Sequence, residues 1–376
     1  MTTNGEVPAP KPINVALQGG GSHGAFTWGV LDRLLEDGRL AIDAISGTSA
    51  GAMNAVALVD GWQRGGPDGA RQKLLDFWLA VARHGRFSPI QRTPWDMLLG
   101  NWSVENSPGY YWYDLMSRAF SPYVANPFDI NPLRDVVEAE IDFEKVRACK
   151  AIKLFISATN VETGQLKVFN PEEITLDAVM ASACLPQLFR AVEIDGTPYW
   201  DGGYGGNPAI FPFFYANDTE DVLLVQINPV IREGTPCTAN EIQNRVDEIT
   251  FNAGLLREFR AIAFVKELIA TGRLPKGEYR DIRLHRIDAD EAFKELSASS
   301  KISAEWAFLE YLRDLGRNAA SDWLDEHLEA VGERPTVDLA AYFVPLPPVE
   351  RKPSLGSRVR AFLASRPKPA AARRAR

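Results

Sequence analysis

Residues 13–58 read INVALQGGGSHGAFTWGVLDRLLEDGRLAIDAISGTSAGAMNAVAL, two successive units of strand, glycine-rich turn and helix. The apolar run 13–17 ends in a glycine loop, and the second run, 40–45, leads directly into GTSAG at residues 47–51. Apolar residues spaced three and four apart predict a helix after the loop, with Gly38 as its left-handed C-terminal cap. Strands alternating with helices predict an α/β fold, a mostly parallel central sheet sandwiched between helices.

The turn at residues 47–51 has the pattern G-x-S-x-G. A strand that reverses into a helix within two residues strains its turn residue, so Gly47 and Gly51 remove side chains that would collide there. Ser49 is thereby predicted to stand at the carboxyl end of a strand. It also lies beside a helix N-terminus, where free backbone N–H groups favour developing negative charge.

Composition limits the classes of protein. Hydrophobic residues make up 45% and charged residues 24% of the 376 residues, a balance that supports a large core. The net charge is −8, and residues 350–376 contribute +8 through nine Lys/Arg and one Glu, so the preceding chain carries −16. An acidic body does not favour nucleic acid. Three widely spaced cysteines and the lack of an apolar leader or spanning segment suggest a cytoplasmic protein, with a peripheral membrane contact through residues 355–376 as an expectation.

The chain divides into three predicted parts, the second of which contains an insertion. Residues 1–12 form an N-terminal extension, residues 13–331 the catalytic domain, and residues 332–376 a Pro-rich and basic tail. Within the domain, residues 62–130 hold five of the nine tryptophans and several prolines. This aromatic-rich insertion is either an irregular, internally packed segment or the lid or wall of an apolar pocket.

Three details of the domain are also predicted. Residues 61–69 read as a glycine-rich loop, and residues 304–331 as two C-terminal helices. Residues 240–271 form the longest helical pattern. Its predicted apolar stripe consists of Ile242, Val246, Ile249, Ala253, Leu256, Phe259, Ala263 and Leu268.

Two interpretations of the glycine turns compete with a serine hydrolase that needs no histidine. Residues 19–24 match the dinucleotide fingerprint G-x-G-x-x-G, but the second strand ends in the G-x-S-x-G turn where an acidic residue is required. A generic α/β-hydrolase triad would use Ser49, Asp201 and His285 in that order. The alternative for His285 is a structural role on a late strand.

Four motifs in order decide between these interpretations: GGGSHG at 19–24, GTSAG at 47–51, SACLP at 182–186 and DGG at 201–203. Together they resemble the patatin-like phospholipase family. The resemblance implies a catalytic dyad of Ser49 as nucleophile and Asp201 as general base. It assigns the oxyanion hole to the backbone of Gly19, Gly20, Gly21 and Ser22. It gives a supporting role to the motif glycines Gly47, Gly51, Gly202 and Gly203.

His23 departs from the pattern, because relatives often carry Arg or Lys at this position. A neutral imidazole would weaken the contribution of that cation to oxyanion stabilisation or to phosphate attraction. A carboxylate can act as the base when desolvation raises its proton affinity. Backbone N–H donors aimed at the oxyanion contribute roughly 3 to 4 kcal/mol each.

We therefore expect a lipid acyl hydrolase, a phospholipase A or lysophospholipase that forms an acyl-serine intermediate. The expected partner is a phospholipid or other lipid ester. We expect no cofactor, no metal and no nucleic acid. The alternative of a different class is a non-catalytic pseudoenzyme that holds lipid.

Overall fold

The computed structural model describes residues 9–275 and 277–343, and its compact unit ends at Leu339. The predicted tail segment 355–376 lies outside the described residues. Within the described residues eight strands form one sheet. They are β1 Lys11–Leu17, β2 Leu40–Gly47, β3 Lys153–Asn160, β4 Leu166–Phe169, β5 Val192–Ile194, β6 Thr197–Asp201, β7 Asp221–Val225 and β8 Arg283–Ile287.

The same part of the chain contains twelve α-helices and several 3₁₀ turns. The helices are α1 Gly24–Asp37, α2 Ala50–Gly85, α3 Pro94–Leu98, α4 Pro108–Ala119, α5 Pro122–Ala125, α6 Pro132–Glu140, α7 Phe143–Ala148, α8 Leu176–Ser182, α9 Phe213–Ala216, α10 Ala239–Ala270, α11 Asp290–Glu295 and α12 Trp306–His327.

The strand order is β5-β6-β3-β2-β1-β7-β8, and β4 pairs with β3. The central pairings β3–β2, β2–β1, β1–β7 and β7–β8 are parallel, whereas β4, β5 and β6 extend the sheet by antiparallel pairing. The predicted α/β fold with a mostly parallel sheet is confirmed. This order sets the carboxyl ends of β1 and β2 side by side, so the two glycine turns that follow them are neighbours.

Local sequence signals explain where several helices begin and end. The Asn131 side chain accepts a hydrogen bond from the Leu133 N–H at the start of α6, and Thr175 accepts one from the Ala178 N–H at the start of α8. Gly38 ends α1 with φ of 73°, a left-handed conformation that glycine adopts without a steric penalty.

The predicted loop at residues 61–69 is wrong, because α2 continues through it to Gly85. A kink at Gly65 and Gly66 interrupts the helix, and Pro67 follows at the start of the second part. Gly61 packs so closely on the Gly69 carbonyl that a Cβ would collide with it. The second part of α2 buries Ala70, Leu74, Phe77 and Trp78 in the core, so the irregular aromatic-rich stretch begins only after Gly85.

The two helices predicted within residues 304–331 are a single α-helix, α12, followed by a 3₁₀ turn at Leu328–Ala330. Gly316 lies inside this helix and does not break it. A Cβ on Gly316 would collide with the Phe26 carbonyl of α1, and one on Gly29 would collide with the Arg313 carbonyl of α12. The glycines therefore serve close packing of α1 on α12, which repays their low helix propensity.

The predicted apolar stripe of α10 is wrong in its first part, whereas Phe259 of that stripe is buried as predicted. Ile242, Val246 and Ile249 are exposed, whereas the buried side chains include Glu248, Asn252, Leu255, Phe259 and Ile262. Glu248 is buried because it pairs with Arg232 and Arg245. Asn252 accepts a hydrogen bond from the Gln18 Nε2 at 3.1 Å. The buried face of α10 is thus partly polar, a pattern that hydrophobic periodicity cannot reveal.

Candidate active site

The GTSAG turn forms a strained connection between β2 and α2. Ser49 has φ of 54° and ψ of −121°, a conformation that non-glycine residues rarely adopt. A Cβ on Gly47 would lie 2.7 Å from the Gly51 carbonyl carbon, and one on Gly51 would collide with the Leu17 carbonyl oxygen. The turn therefore requires both glycines, and Ser49 stands at the carboxyl end of β2 as predicted.

The SACLP motif at residues 182–186 hydrogen-bonds the backbone at this turn. The Ser49 N–H donates a hydrogen bond to the buried Ser182 hydroxyl at 2.8 Å. The Asp201 N–H donates to the Cys184 carbonyl at 2.7 Å. Two residues of one motif thus hold the backbones of Ser49 and Asp201.

Sheet register brings Asp201 next to Ser49. On β3, Ile156 pairs with Gly47 of β2, and Ala158, two residues later, pairs with Asp201 of β6. The Ser49 hydroxyl lies close enough to the Asp201 carboxyl to lower its pKa through hydrogen bonding. The Gly203 N–H donates a hydrogen bond to Asp201 Oδ1 at 2.7 Å. The structure therefore brings the two predicted dyad residues side by side.

Asp201 is only 1% exposed, and this burial raises the proton affinity of its carboxyl group. Desolvation raises its pKa to about 7, while the hydrogen bonds from Gly203 and Ser49 lower it. Gly202 and Gly203 keep the turn narrow, because a Cβ on Gly202 would collide with the Ser157 carbonyl and one on Gly203 with the Phe251 ring. A carboxyl group with this pKa can accept a proton near neutral pH.

The glycine loop after β1 lies directly against the serine. A Cβ on Gly19 would lie 2.6 Å from the Ser49 Cβ. The Gly19 N–H donates a hydrogen bond to Asn207 Oδ1 at 2.6 Å, so this amide is engaged within the protein. Of the four predicted oxyanion residues, this leaves Gly20, Gly21 and Ser22 as candidate donors.

His23 is buried and hydrogen-bonded to the distant residue Ser300, with 2.8 Å between Nε2 and Oγ. The Ser300 hydroxyl donates its own proton to the Ser297 carbonyl, so the His23 Nε2 must be the donor of this contact. Burial, and secondarily the charge of Lys301, hold the pKa of His23 well below its usual range. The imidazole is therefore neutral, and it packs against Phe293 with 5.2 Å between ring centroids.

His285 does not join the dyad. Its Nε2 lies 2.9 Å from Asp221 Oδ1 and its Nδ1 lies 3.1 Å from the Thr336 hydroxyl. The ring is fully buried on β8, at the opposite side of β1 from β2. Although burial opposes it, the hydrogen bonds from His285, Arg283 and Gly332 lower the pKa of Asp221 to about 2. The contacts of His285 are those of a structural residue.

Sequence reasoning missed three residues that hold the glycine loop. The Asn228 Nδ2 donates to the Gly19 carbonyl at 2.7 Å, and the Asn207 Nδ2 approaches the same oxygen at 3.3 Å. The buried Gln18 accepts hydrogen bonds from the Ile227 and Asn228 N–H groups, both at 2.9 Å. Polar residues directly after the buried strands β1 and β7 were the available signal.

Among residues 9–275 and 277–343, no group of three or more His, Cys, Asp or Glu side chains is arranged to hold a metal ion. In the same part of the chain, none of the helices has the length and apolar character that crossing a membrane requires.

Comparison with known proteins now adds the family. The model of the patatin-like phospholipase family matches residues 15–216, more than half of the chain, so the chain belongs to this family. The resemblance inferred from the four motifs is confirmed. Membership indicates a lipid acyl hydrolase in general terms.

Solved structures that match the chain include VipD from Legionella pneumophila, at 16% identity and a TM-score of 0.35, over 82% of this chain and 67% of VipD. The type III effector protein ExoU matches at 14% identity and a TM-score of 0.32, over 85% of this chain and 53% of ExoU. The heterodimeric ExoU–SpcU complex from Pseudomonas aeruginosa gives 17% identity and a TM-score of 0.27, over 87% of this chain and 61% of that one. None of the curated proteins matches the chain.

Proposed function

We propose that this chain is a serine phospholipase A or lysophospholipase that works through a dyad of Ser49 and Asp201. The observation that carries the proposal is the position of the Ser49 hydroxyl beside a buried Asp201 whose pKa is raised to about 7. A serine hydroxyl needs a base within hydrogen-bond reach, and this carboxylate meets the requirement without a histidine.

In the first half of the reaction, Asp201 takes the hydroxyl proton as Ser49 Oγ attacks the ester carbonyl carbon. The carbonyl oxygen becomes an oxyanion, and the N–H groups of Gly20, Gly21 and Ser22 are the proposed donors to it. The intermediate then collapses, the bond to the alcohol oxygen breaks, and Asp201 returns its proton to that oxygen. The lysophospholipid or glycerophosphodiester product leaves, and the acyl group stays on Ser49.

In the second half, Asp201 takes a proton from water, whose oxygen attacks the acyl carbonyl carbon. Collapse of this second oxyanion breaks the bond to Ser49 Oγ, and the proton on Asp201 passes to that oxygen. The fatty acid is released and the enzyme returns to its starting state. Because the same carboxyl group serves both halves, its pKa near neutrality suits it to accept and to donate.

The surroundings of the dyad support an apolar substrate. Phe251 of α10 packs against Gly203 and lies 5.3 Å from the Tyr204 ring, measured between centroids. On the same helix, Val246 and Ile249 are exposed within two turns of Phe251. We propose that these side chains form part of a wall for an acyl chain.

We further propose that residues 86–130 meet the lipid substrate, as the lid or wall considered from the sequence. The Ala191 N–H donates to the Tyr123 hydroxyl at 3.3 Å, and Arg190 donates to the Pro127 carbonyl at 3.0 Å, next to the SACLP motif. Large apolar side chains of this stretch are exposed. They are Phe87, Trp95, Met97, Leu98, Leu99, Tyr111, Trp112, Leu115, Phe120, Tyr123, Val124, Phe128 and Ile130.

The test of the proposed function is covalent labelling. A fluorophosphonate should modify Ser49, and Ser49→Ala should abolish both labelling and hydrolysis of a short-chain ester. Ser321→Ala is the matched control, because the Ser321 hydroxyl accepts a hydrogen bond from Arg33 Nε at 2.9 Å, on a different part of the protein, and its loss should leave both signals unchanged. Mapping of the adduct to a different serine would overturn the assignment.

A further inference from the structure

Two side-chain amides hold the peptide between Gly19 and Gly20 by donating hydrogen bonds to the Gly19 carbonyl oxygen. The Asn228 Nδ2 donates to this oxygen at 2.7 Å and the Asn207 Nδ2 at 3.3 Å. A trans peptide is planar, so the Gly20 N–H points in the direction opposite to the Gly19 carbonyl. Whatever fixes the carbonyl therefore also aims the Gly20 N–H, one of the proposed oxyanion donors.

Lys301 contacts the oxygen end of the Asn228 carboxamide, while the Gly19 carbonyl and, at 3.3 Å, Gln18 Oε1 accept from its nitrogen end. The oxygen and nitrogen ends of a carboxamide have nearly the same shape, so only their hydrogen-bond partners distinguish them. The Lys301 ammonium donates to Asn228 Oδ1 at 2.9 Å, and an ammonium can never accept. The oxygen must face Lys301, which leaves the nitrogen to face the Gly19 carbonyl.

Lys301 itself is fixed in the 3₁₀ segment Ala298–Ile302, which closes over the loop. A Cβ on Gly21, where φ is 59°, would collide with the Lys301 carbonyl, and the neighbouring Ser300 hydrogen-bonds His23. Burial lowers the pKa of Lys301, whereas the carboxylates of Glu248 and Asp247 raise it and favour the ammonium form.

We propose that Lys301 is a positioning residue for the oxyanion loop, acting through Asn228 to fix the Gly19 carbonyl and thereby aim the Gly20 N–H. This inference rests on the proposed function. Lys301, about 280 positions after the loop, thereby supplies a cation beside the loop, which the neutral His23 cannot do. The competing explanation is that Lys301 only balances the buried charge of Glu248.

Kinetics on an uncharged short-chain ester separate the two explanations. Loss of a complete oxyanion donor lowers kcat by about 100- to 1,000-fold, so a misaimed donor should lower it by about 10- to 100-fold in Lys301→Met, with KM unchanged. Lys301→Arg, which keeps a donor-only cation, should retain more activity. Lys294→Met is the matched control, because Lys294 pairs with Glu291 on the surface.

Asn228→Asp is the decisive variant. It preserves the shape of the side chain and a partner for Lys301, but a carboxylate cannot donate to the Gly19 carbonyl. The inference expects a loss of kcat comparable to that of Lys301→Met in a protein that melts like the wild type. Near-normal kcat in Asn228→Asp would show that Lys301 serves charge balance only.

Crystal structures of the wild type and Lys301→Met give a readout independent of activity. We expect the variant to lose the 2.7 Å contact between Asn228 Nδ2 and the Gly19 oxygen, and retention of that contact would overturn the inference. If the wild type neither hydrolyses esters nor labels at Ser49, the proposed function fails, while this structural comparison still decides whether Lys301 positions the loop.

Discussion

The Ser49 hydroxyl lies beside the carboxyl group of Asp201 and lowers its pKa through hydrogen bonding, although 152 positions separate the two residues in the chain. The contact exists because β3 pairs with both β2 and β6, so that strands carrying the two residues meet on one neighbour. A buried carboxylate with a raised pKa next to a half-buried serine is the combination that a serine–carboxylate dyad requires.

We expect Asp201→Asn to lower kcat by between about 100- and 10,000-fold, because an amide cannot accept the serine proton. His285→Asn should instead lower the melting temperature, since it disturbs the buried contact with Asp221, and the folded variant should keep most of its activity. Purified variants should be compared on one soluble ester with their circular dichroism matched. Equal losses of kcat would support the triad.

The pH dependence of kcat/KM should report Asp201. Only the ionised carboxylate accepts a proton, so activity should fall about tenfold for each pH unit below a midpoint near 7, the raised pKa of Asp201. Rates should be measured from pH 5 to 9 with enzyme shown to be stable over that range. A flat profile down to pH 5 would place the pKa near its usual value of about 3.9 and contradict the effect of burial.

Asp201 should also make the protein less stable as the pH rises. Its folded pKa of about 7 lies above the unfolded value of about 3.9, so its favourable contribution is complete below pH 4 and is lost as the pH passes 7. Asp201→Asn lacks this loss. Measured in urea, the stability of Asp201→Asn relative to the wild type should therefore be greater at pH 8 than at pH 5, by about 2.5 kcal/mol, because part of the loss has already occurred at pH 5.

Asp142→Asn provides the control for that measurement. Hydrogen bonds from Lys145 lower the pKa of Asp142 at the N-terminus of α7, so this group stays ionised throughout pH 5 to 8. The difference between Asp142→Asn and the wild type should not change over the range. A pH-independent difference for Asp201→Asn as well would show that Asp201 does not titrate there.

The exposed aromatic stretch should matter for aggregated substrate only. Trp112→Ala should weaken vesicle binding by about tenfold and slow hydrolysis of vesicle phospholipid, because burial of a large apolar side chain contributes about 1.5 to 3 kcal/mol. Hydrolysis of a soluble short-chain ester should be unchanged. Tyr215→Ala is the control, since Tyr215 is 85% exposed on α9 and lies outside this stretch. Equal effects of both variants would leave residues 86–130 without a special role.

Local chemistry made part of the molecule predictable. The strand, glycine turn and helix units were recognisable because the backbone conformations at the GTSAG turn and at Gly38 restrict which residues can occupy those positions. The helix caps at Asn131 and Thr175 are also local, since each side chain accepts a hydrogen bond from an N–H within three residues. The sequence by itself therefore determined the motif turns and the family to which they belong.

The predictions failed where contacts with residues distant in the chain decide the local structure. Gly61 looked like part of a loop and residues 304–331 like two helices, but Gly61 and Gly316 each allow a close approach to another backbone, which only the packed structure shows. The buried face of α10 is partly polar because Arg232 pairs with Glu248 and Gln18 with Asn252, from other parts of the chain.

Tertiary structure alone also decided the chemistry of the site. Desolvation raises the pKa of Asp201, and the loop before His23 is held by Asn207, Asn228 and Lys301, which lie between 188 and 282 positions from Gly19. Hydrogen bonds and burial act through space and depend on sheet order, whereas a sequence motif records only what neighbours along the chain impose on the backbone.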